Sequence, residues 1–235
     1  MPDTDPSPSE IAALAAYDTP TICNALEITS PERRATGFTV FPFTVADPDL
    51  PPMVGHVRTA RIRAMSPPDG LPAAARALRE RHYENVAAAP GPTVVVIEDL
   101  DPIPGFGAFW GEVNSAIHKG LGCLGCVTNG SFRDLAELAP GFQILGGTVG
   151  PSHAWVHVVD VGADVTVHGM AASNGDLIHA DRHGAVIIPN EAVAKLPAAV
   201  ELVQRREAPI LAAARAEGFD IAALKRAMAD AAEIH

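Results

Sequence analysis

The sequence is short of several features that would place it in a specialised class of protein. Aromatic residues make up 5% of its 235 residues, and it contains only three cysteines. Its 17 lysines and arginines are outnumbered by 28 aspartates and glutamates, which gives a net charge of -11. A surface that binds nucleic acid needs a surplus of cations to displace counterions from the phosphates. The charge balance therefore argues against a nucleic-acid partner.

The sequence also has no long apolar run. The stretches Thr93 to Ile97 and Ala185 to Ile188 are far shorter than the roughly 20 residues that cross a bilayer. The first residues lack the basic start and the apolar stretch of a secretory signal. We therefore expect a soluble, cytoplasmic protein without a membrane partner.

Two of the three cysteines, Cys123 and Cys126, form a Cys-x-x-Cys pair that is compatible with redox chemistry or with half of a zinc site. A structural zinc needs about four ligands, and the sequence has no second pair. A redox pair is expected where a strand passes into a helix, whereas this pair precedes an expected strand. We predict reduced, buried cysteines that pack as small apolar groups.

The sequence contains enough apolar residues, 48% of the total, to form one large hydrophobic core. Residues 1–10 carry three prolines and are predicted to form a flexible arm, and residues 11–235 are predicted to form a single α/β domain with a C-terminal helical extension. Apolar spacing and proline positions predict the following helices: residues 9–26 with a break at Thr19-Pro20, residues 72–88, residues 112–119, and the segment from Glu191 to the end with a break at Gly218. Predicted strands cover residues 37–45, 55–65, 93–99, 126–128, 154–159, 164–169, 177–180 and 185–188.

The segment after Thr93 predicts where a site would lie. A continuous apolar strand, a loop, a short helix and a second strand form a crossover unit of the kind found in parallel sheets. Parallel strands end at the same edge of a sheet, so the loops that follow them lie side by side. We therefore expect Glu112 and the pair Arg133-Asp134 to face one crevice.

The residue types at this crevice suit a small carboxylic acid and a metal ion. The first backbone amides of the helix, at Glu112, Val113 and Asn114, would attract a carboxylate. Arg133 can hold a carboxylate through two hydrogen bonds, and Asp134 supplies a hard oxygen suited to Mg²⁺ or Mn²⁺. The alternative at this point is a solvated ion pair between Arg133 and Asp134 with no function.

Several stretches of the sequence form a recognisable set: Gly111-Glu112-Val113-Asn114, Gly122 to Gly125, Val127 to Asp134 with Glu137, Thr19 to Leu26, Pro90 to Ile97, and Gly175 to Pro189. Together they resemble the RraA-like family, which includes regulators of ribonuclease E and a 4-hydroxy-4-methyl-2-oxoglutarate aldolase that also decarboxylates oxaloacetate. The resemblance implies a swivelling β/β/α domain with mixed sheets and flanking helices, assembled as a homotrimer or homohexamer with its site near a subunit interface.

The resemblance also implies roles for single residues. Asp134 would contact a divalent metal, Mg²⁺ or Mn²⁺, and Arg133 would bind substrate oxygens. The segment Gly111 to Asn114 would hold the pyruvyl carboxylate through backbone amides. These roles predict a carbon-carbon lyase that acts on a 2-oxo acid through a pyruvate enolate, with Arg133, Glu112 and Asp134 as catalytic residues. Glu112 either positions a base or only stabilises the helix dipole.

A second hypothesis is a regulatory scaffold that binds another protein without catalysis, as the ribonuclease regulators of the family do. The intact Arg133-Asp134 pair favours the enzyme. Three asparagines depart from the family pattern: Asn129 replaces an aspartate, Asn114 replaces a leucine and could select a different substrate tail, and Asn174 replaces a proline.

Some histidines and one tryptophan are further candidates for metal ligands or for residues that line the pocket. His179, Asp181 and His183 alternate, so they would share one face of a strand, and His153 and His157 could do likewise. They are compatible with a zinc site or, as we expect, with hydrogen bonding in the core or at an interface. Trp110 would either wall the pocket or pack at a subunit contact.

Overall fold

The computed structural model describes residues 6–235, and this part of the chain contains seven α-helices and thirteen strands. The helices are α1 (Pro8–Ala13), α2 (Thr19–Thr29), α3 (Pro72–Ala87), α4 (Glu112–Gly120), α5 (Asn190–Val193), α6 (Leu196–Ala214) and α7 (Ile221–Ala232). The strands are β1 (Thr44–Val45), β2 (Met53–Arg63), β3 (Thr93–Asp99), β4 (Ala108–Trp110), β5 (Cys123–Thr128), β6 (Ser131–Phe132), β7 (Gln143–Gly146), β8 (Thr148–Val149), β9 (His157–Val161), β10 (Val165–Val167), β11 (Met170–Ala172), β12 (Leu177–Asp181) and β13 (Gly184–Ile188). The predicted α/β fold with mixed sheets and flanking helices is confirmed.

The central sheet has eight strands in the order β1-β7-β5-β3-β2-β12-β13, and β9 pairs with the second half of β2. Its four middle strands, β7, β5, β3 and β2, are parallel. Strands β1, β9 and β12 run antiparallel to them, and β13 pairs antiparallel with β12. In β3, the side chains of Val94 to Ile97 are fully buried, which fits a strand covered on both faces.

The crossover predicted from the sequence joins β3 to β5 of the central sheet through α4, and a second, smaller sheet contains β4, which precedes α4, and β6, which follows β5. Strands β4, β6 and β8 pair in parallel, and Trp110 at the end of β4 lies opposite Phe132 at the end of β6. Both strands are too short for a clear sequence pattern, and neither was predicted. They matter because the residues that follow them, Gly111 and Arg133, leave the sheet at the same place.

The N-terminal arm differs from the prediction. Helix α1 starts inside it, because the Ser7 hydroxyl accepts a hydrogen bond from the Glu10 amide while the Glu10 carboxylate accepts one from the Ser7 amide. Pro8 fits the first helical position, where no amide hydrogen is needed. Residues 8–10 of the predicted arm are therefore helical, and residues 1–5 lie outside the described residues.

The predicted strand at residues 37–45 is wrong over most of its length, since only Thr44 and Val45 form a strand. Its backbone amides bond to several different elements: Thr39 donates to the Ala185 carbonyl in β13, and Val40 donates to the His168 carbonyl between β10 and β11. The segment thus bonds to β13, to the turn between β10 and β11 and, through Thr44 and Val45, to β7, so it does not form one continuous strand. Helix α3 and the break between α6 and α7 match the prediction closely.

The cysteines behave as predicted. All three are free thiols, and Cys123 and Cys126 are buried on β5. Burial raises the pKa of the Cys126 thiol well above its usual value, so this group stays protonated and apolar in character. Within residues 6–235, no helix combines the length and the apolar content that spanning a bilayer requires.

Candidate functional site

The ends of β4 and β6 place the predicted site residues side by side. The Arg133 amide donates to the Trp110 carbonyl over 3.0 Å, which ties the end of β6 to the end of β4. Glu112 then begins α4, and Asp134 directly follows Arg133. The prediction that these loops share a crevice is confirmed, although the small sheet brings them together rather than the edge of the large one.

Asp134 closes the start of α4. Its Oδ2 accepts a hydrogen bond from the Glu112 amide at 3.2 Å and lies 3.4 Å from the Arg133 Nε. The residue before the helix, Gly111, provides no side-chain cap, so a carboxylate from another loop does so. Of the three amides predicted to be open for an anion, the Glu112 amide is thus occupied, and those of Val113 and Asn114 have no acceptor among residues 6–235.

The backbone of Asp134 is in the left-handed region, with φ of 54°. Few residues other than glycine adopt this conformation, and asparagine and aspartate tolerate it best. Strained backbone of this kind is often found where a side chain must point in one direction for function. Here it turns the carboxylate towards the helix start and the cavity in front of it.

A cavity of about 860 Å³ opens in front of this loop pair. Every residue predicted for the site lines it: Gly111, Glu112, Val113, Asn114, Arg133 and Asp134. Arg133 and Asp134 are each about one third exposed, at 37% and 34% of their side chains. A ligand in the cavity can therefore reach both charges while they remain in contact with each other.

The opposite walls come from residues that were not predicted for the site. Helix α3 contributes Arg76, Arg79 and Tyr83, the loop before β9 contributes His153, and the first residue of β9 is His157, which also lines the cavity. No sequence signal near the motif pointed to α3, which lies some thirty residues earlier in the chain. The cavity thus combines three arginines, two histidines and two carboxylates in a protein that is acidic as a whole.

His153 and His157 line the cavity, and one ring nitrogen of each bonds to a neighbouring carbonyl. The Nδ1 of His153 lies 2.8 Å from the Ala154 carbonyl, and the Nδ1 of His157 lies 2.8 Å from the Trp155 carbonyl. A carbonyl can only accept, so Nδ1 is the donor in both contacts. Within the described part of the chain, neither Nε2 has a partner, so this nitrogen of each ring is open to a hydrogen bond with a ligand.

Other predicted residues serve the structure rather than the cavity. His179 bonds to the Thr19 hydroxyl at 2.9 Å, and Asp181 accepts from the Thr19 amide and from His183. These contacts hold the start of α2 against β12. The expectation that His179, Asp181 and His183 serve in hydrogen bonding within the structure is thus confirmed. Trp110 does not wall the cavity, because its side chain is buried between His118 and Phe142, and Phe109 lines the cavity in its place.

The three departing asparagines all have structural partners. The Asn114 side chain accepts from the Tyr83 hydroxyl and donates to the Phe109 carbonyl, so its polar atoms are not free to select a substrate tail. Asn129 both accepts from and donates to the backbone of Asp99. Asn174 accepts from the Thr59 amide and from the Asn85 side chain.

The oxygen donors at the site suit Mg²⁺ or Mn²⁺ better than zinc. Within residues 6–235, no three histidine, cysteine, aspartate or glutamate side chains are grouped closely enough to hold an ion by themselves. Zinc requires such a group, whereas Mg²⁺ is commonly bound by one or two carboxylates and keeps several waters. The second oxygen of Asp134 has no partner among the described residues and borders the cavity, which fits Mg²⁺ or Mn²⁺.

Comparison with known proteins agrees with the resemblance seen in the sequence. A family model described as RraA-like (Aldolase/RraA) matches residues 19–187. No curated protein matches the sequence significantly.

Three solved structures share the fold at low sequence identity. An uncharacterized protein from Pseudomonas syringae pv. tomato is 19% identical over 98% of this chain and 97% of its own, with a TM-score of 0.70. Streptomyces coelicolor RraAS2, described as an unusual member of the RNase ES inhibitor RraA family, is 21% identical over 87% and 95%, with a TM-score of 0.65. The RNA-processing inhibitor RraA from a Thermus species is 20% identical over 70% and 90%, with a TM-score of 0.51.

Proposed function

Because the chain belongs to the RraA-like family, we propose that it is a divalent-metal-dependent lyase that cleaves a 4-hydroxy-2-oxo acid or decarboxylates oxaloacetate through a pyruvate enolate. The observation that carries this proposal is the contact of Arg133 and Asp134 with the start of α4 at the edge of a large cavity. A scaffold that only binds another protein does not need a guanidinium, a carboxylate and free amides around one cavity.

The substrate's carboxylate is held by the start of α4 and by Arg133. The amides of Val113 and Asn114 point out of the helix, where its dipole favours an anion. The two terminal nitrogens of Arg133 have no acceptor among the described residues, so they can bind the carboxylate and the 2-oxo oxygen. Two anchors of this kind fix the orientation of a small flexible acid.

Both reactions leave an electron pair on the pyruvyl half of the substrate. Cleavage of the bond between C3 and C4 of a 4-hydroxy-2-oxo acid gives an enolate, and so does loss of carbon dioxide from oxaloacetate. Arg133 stabilises the negative charge that develops on the enolate oxygen. Asp134 would hold Mg²⁺ or Mn²⁺, which supplies a Lewis acid for the same oxygen when bound.

Aldol cleavage also requires a group that accepts the proton of the C4 hydroxyl. Glu112 is exposed at the cavity wall, and its side chain is not needed to cap α4 because Asp134 does so. This arrangement leaves the Glu112 carboxylate available to accept a proton directly or through water.

The test of the proposal is pyruvate release from a panel of 4-hydroxy-2-oxo acids and from oxaloacetate, with and without EDTA. Asp134→Asn keeps a residue that tolerates the left-handed backbone and can still accept from the Glu112 amide, but it removes the charge. We expect at least about a hundredfold loss of kcat/KM for this variant and loss of wild-type activity with EDTA.

The matched control is Glu137→Gln, an exposed carboxylate in the same loop that does not line the cavity, which should retain wild-type kinetics. Activity that is indifferent to EDTA would overturn the metal assignment. A wild-type protein that releases pyruvate from no substrate would overturn the lyase in favour of the regulatory scaffold.

A further inference from the structure

The cavity is much larger than the proposed reaction centre requires. Its volume of about 860 Å³ is near the upper end of the range for pockets that bind drug-sized ligands, roughly 300–1,000 Å³. The amides of α4 and Arg133 account for the pyruvyl end of a substrate only. The remaining space lies against α3, so the residues of this helix would meet whatever is attached to the pyruvyl group.

Two arginines of α3 line this part of the cavity. Arg76 and Arg79 are three residues apart, and Tyr83 follows four residues later, so all three lie on one face of the helix. The positive charge of Arg79 opposes the effect of burial on the pKa of the Tyr83 hydroxyl. The face that α3 turns to the cavity is therefore cationic.

Neither arginine is neutralised by the protein. In the described part of the chain, no carboxylate lies within 4 Å of the guanidinium of Arg76 or Arg79. Four other arginines among residues 6–235 make five ion pairs with carboxylates, in keeping with the excess of acidic residues. Uncompensated guanidinium groups at a concave surface attract anions and can bind carboxylate or phosphate through two hydrogen bonds.

Helix α3 is fixed in position relative to the reaction centre. The Tyr83 hydroxyl donates to the Asn114 side chain at 3.1 Å, and the Nε2 atoms of His82 and His118 are 2.9 Å apart. Both contacts join α3 to α4, the helix whose first amides face the pyruvyl group. The arginines are thus held at a set distance from the reacting end of a bound molecule.

We propose that Arg76 and Arg79 form a second anion subsite that selects substrates with a carboxylate or phosphate at the end remote from the 2-oxo acid. This inference rests on the proposed function, because the first subsite is the one that binds the pyruvyl end. It makes the two arginines specificity-determining residues, and it assigns the substrate a tail long enough to reach from α4 to α3.

The experiment is calorimetric binding of three unreactive probes of matched length in the presence of Mg²⁺. The probes are 2-oxohexanoate, with a methyl end, 2-oxoadipate, with a carboxylate end, and 2-oxo-5-phosphonopentanoate, with a phosphonate end. The variants are Arg76→Gln, Arg79→Gln, the double variant, and Arg81→Gln as control. Arg81 is exposed on the same helix but does not line the cavity.

The wild type and Arg81→Gln are expected to bind at least one of the two anionic-ended probes about tenfold or more tightly than 2-oxohexanoate. The double variant should lose this preference while its affinity for 2-oxohexanoate stays within about twofold of the wild type. The probe that binds more tightly, carboxylate or phosphonate, identifies the terminal group that the subsite prefers. A loss of preference in Arg81→Gln, or equal weakening of all three probes in the double variant, would overturn the inference.

Binding and turnover separate this inference from the proposed function. A wild type that shows the preference but releases no pyruvate would refute the lyase and leave the subsite standing. A wild type that turns over substrates without any preference for an anionic end would refute the subsite and leave the lyase standing.

Discussion

Gly111 is the residue on which the contact between the two site loops depends. A Cβ atom there would lie 2.5 Å from the Asp134 Oδ2, closer than real Cβ atoms come, and 3.3 Å from the Arg133 Cγ, which is tighter than most real contacts. The Gly111 backbone is extended, with φ of -175°, so its conformation does not require glycine. The requirement is space for the carboxylate that closes the start of α4.

We therefore expect Gly111→Ala to displace the Asp134 carboxylate without unfolding the protein. Pyruvate release should fall about tenfold or more, and titration with Mn²⁺ should show weaker metal binding, because the carboxylate is moved away from its place beside Arg133. Circular dichroism should show an unchanged fold.

The control is Gly120→Ala at the other end of α4, where an added Cβ meets no atom within 4 Å. Alanine is favoured over glycine in a helix by about 0.5–1 kcal/mol, so this variant should be as stable as the wild type or slightly more so, with unaltered kinetics. Equal activity of the two alanine variants would contradict the role given to Gly111.

At the scale of elements, a buried pair of histidines joins α3 to α4. The His118 Nδ1 donates to the Asn114 carbonyl at 2.7 Å, so its Nε2 must accept from the His82 Nε2. The remaining nitrogen, the His82 Nδ1, is buried without a partner in the part of the chain that is described. The arrangement requires both rings to be neutral, because a proton on either acceptor would be buried without compensation.

Burial accordingly lowers the pKa of His82 to about 3 and that of His118 to about 4. In the unfolded chain both rings titrate near 6.5, so between about pH 6.5 and pH 4 the unfolded state binds protons that the folded state does not. The free energy of unfolding should therefore fall as the pH drops through this window, by an amount on the order of several kcal/mol.

Urea unfolding at pH 7 and at pH 4.5 measures this loss. Other buried histidines contribute to it as well, so the informative quantity is the difference between the wild type and His82→Phe, which has no titrating group at that position. We expect the variant to lose less stability over the same pH interval. Identical losses in the two proteins would show that His82 is not held neutral.

At the scale of the whole molecule, large apolar side chains remain exposed around the site. Val113, Leu135 and Trp155 are 69%, 56% and 59% exposed, and each is within two residues of one that lines the cavity. Exposed apolar groups of this size in one region are typical of surfaces that bind another protein. They support the expectation, drawn from the family resemblance, of a homotrimer or homohexamer with its site near a subunit interface.

We predict that light scattering on the purified protein gives a mass of three or six times 24.5 kDa. Trp155→Lys should reduce this mass, since a charge would replace an apolar contact in the interface, while leaving the secondary structure intact. A wild-type mass equal to one chain at micromolar concentration would contradict the prediction.

Prediction from the sequence succeeded where the signal was local. The apolar run in β3, the proline at the start of α3 and the glycine between α6 and α7 each act on residues within a turn or two of themselves. It failed at residues 37–45, where the chain pairs with elements more than a hundred residues away. It also missed β4 and β6, which have three and two residues and depend on each other for stability.

The same division applies to the site. The sequence alone determined that Arg133 and Asp134 come in the segment after the strand at residues 126–128 and that Glu112 begins a helix, because strand and helix signals are carried by neighbouring residues. Only the tertiary structure decided that the Asp134 carboxylate accepts a hydrogen bond from the Glu112 amide and that Trp110 is buried. It also decided that Arg76 and Arg79 of α3 line the cavity. Those facts depend on strand register and helix packing, which arise from contacts between distant parts of the chain and leave no local pattern to read.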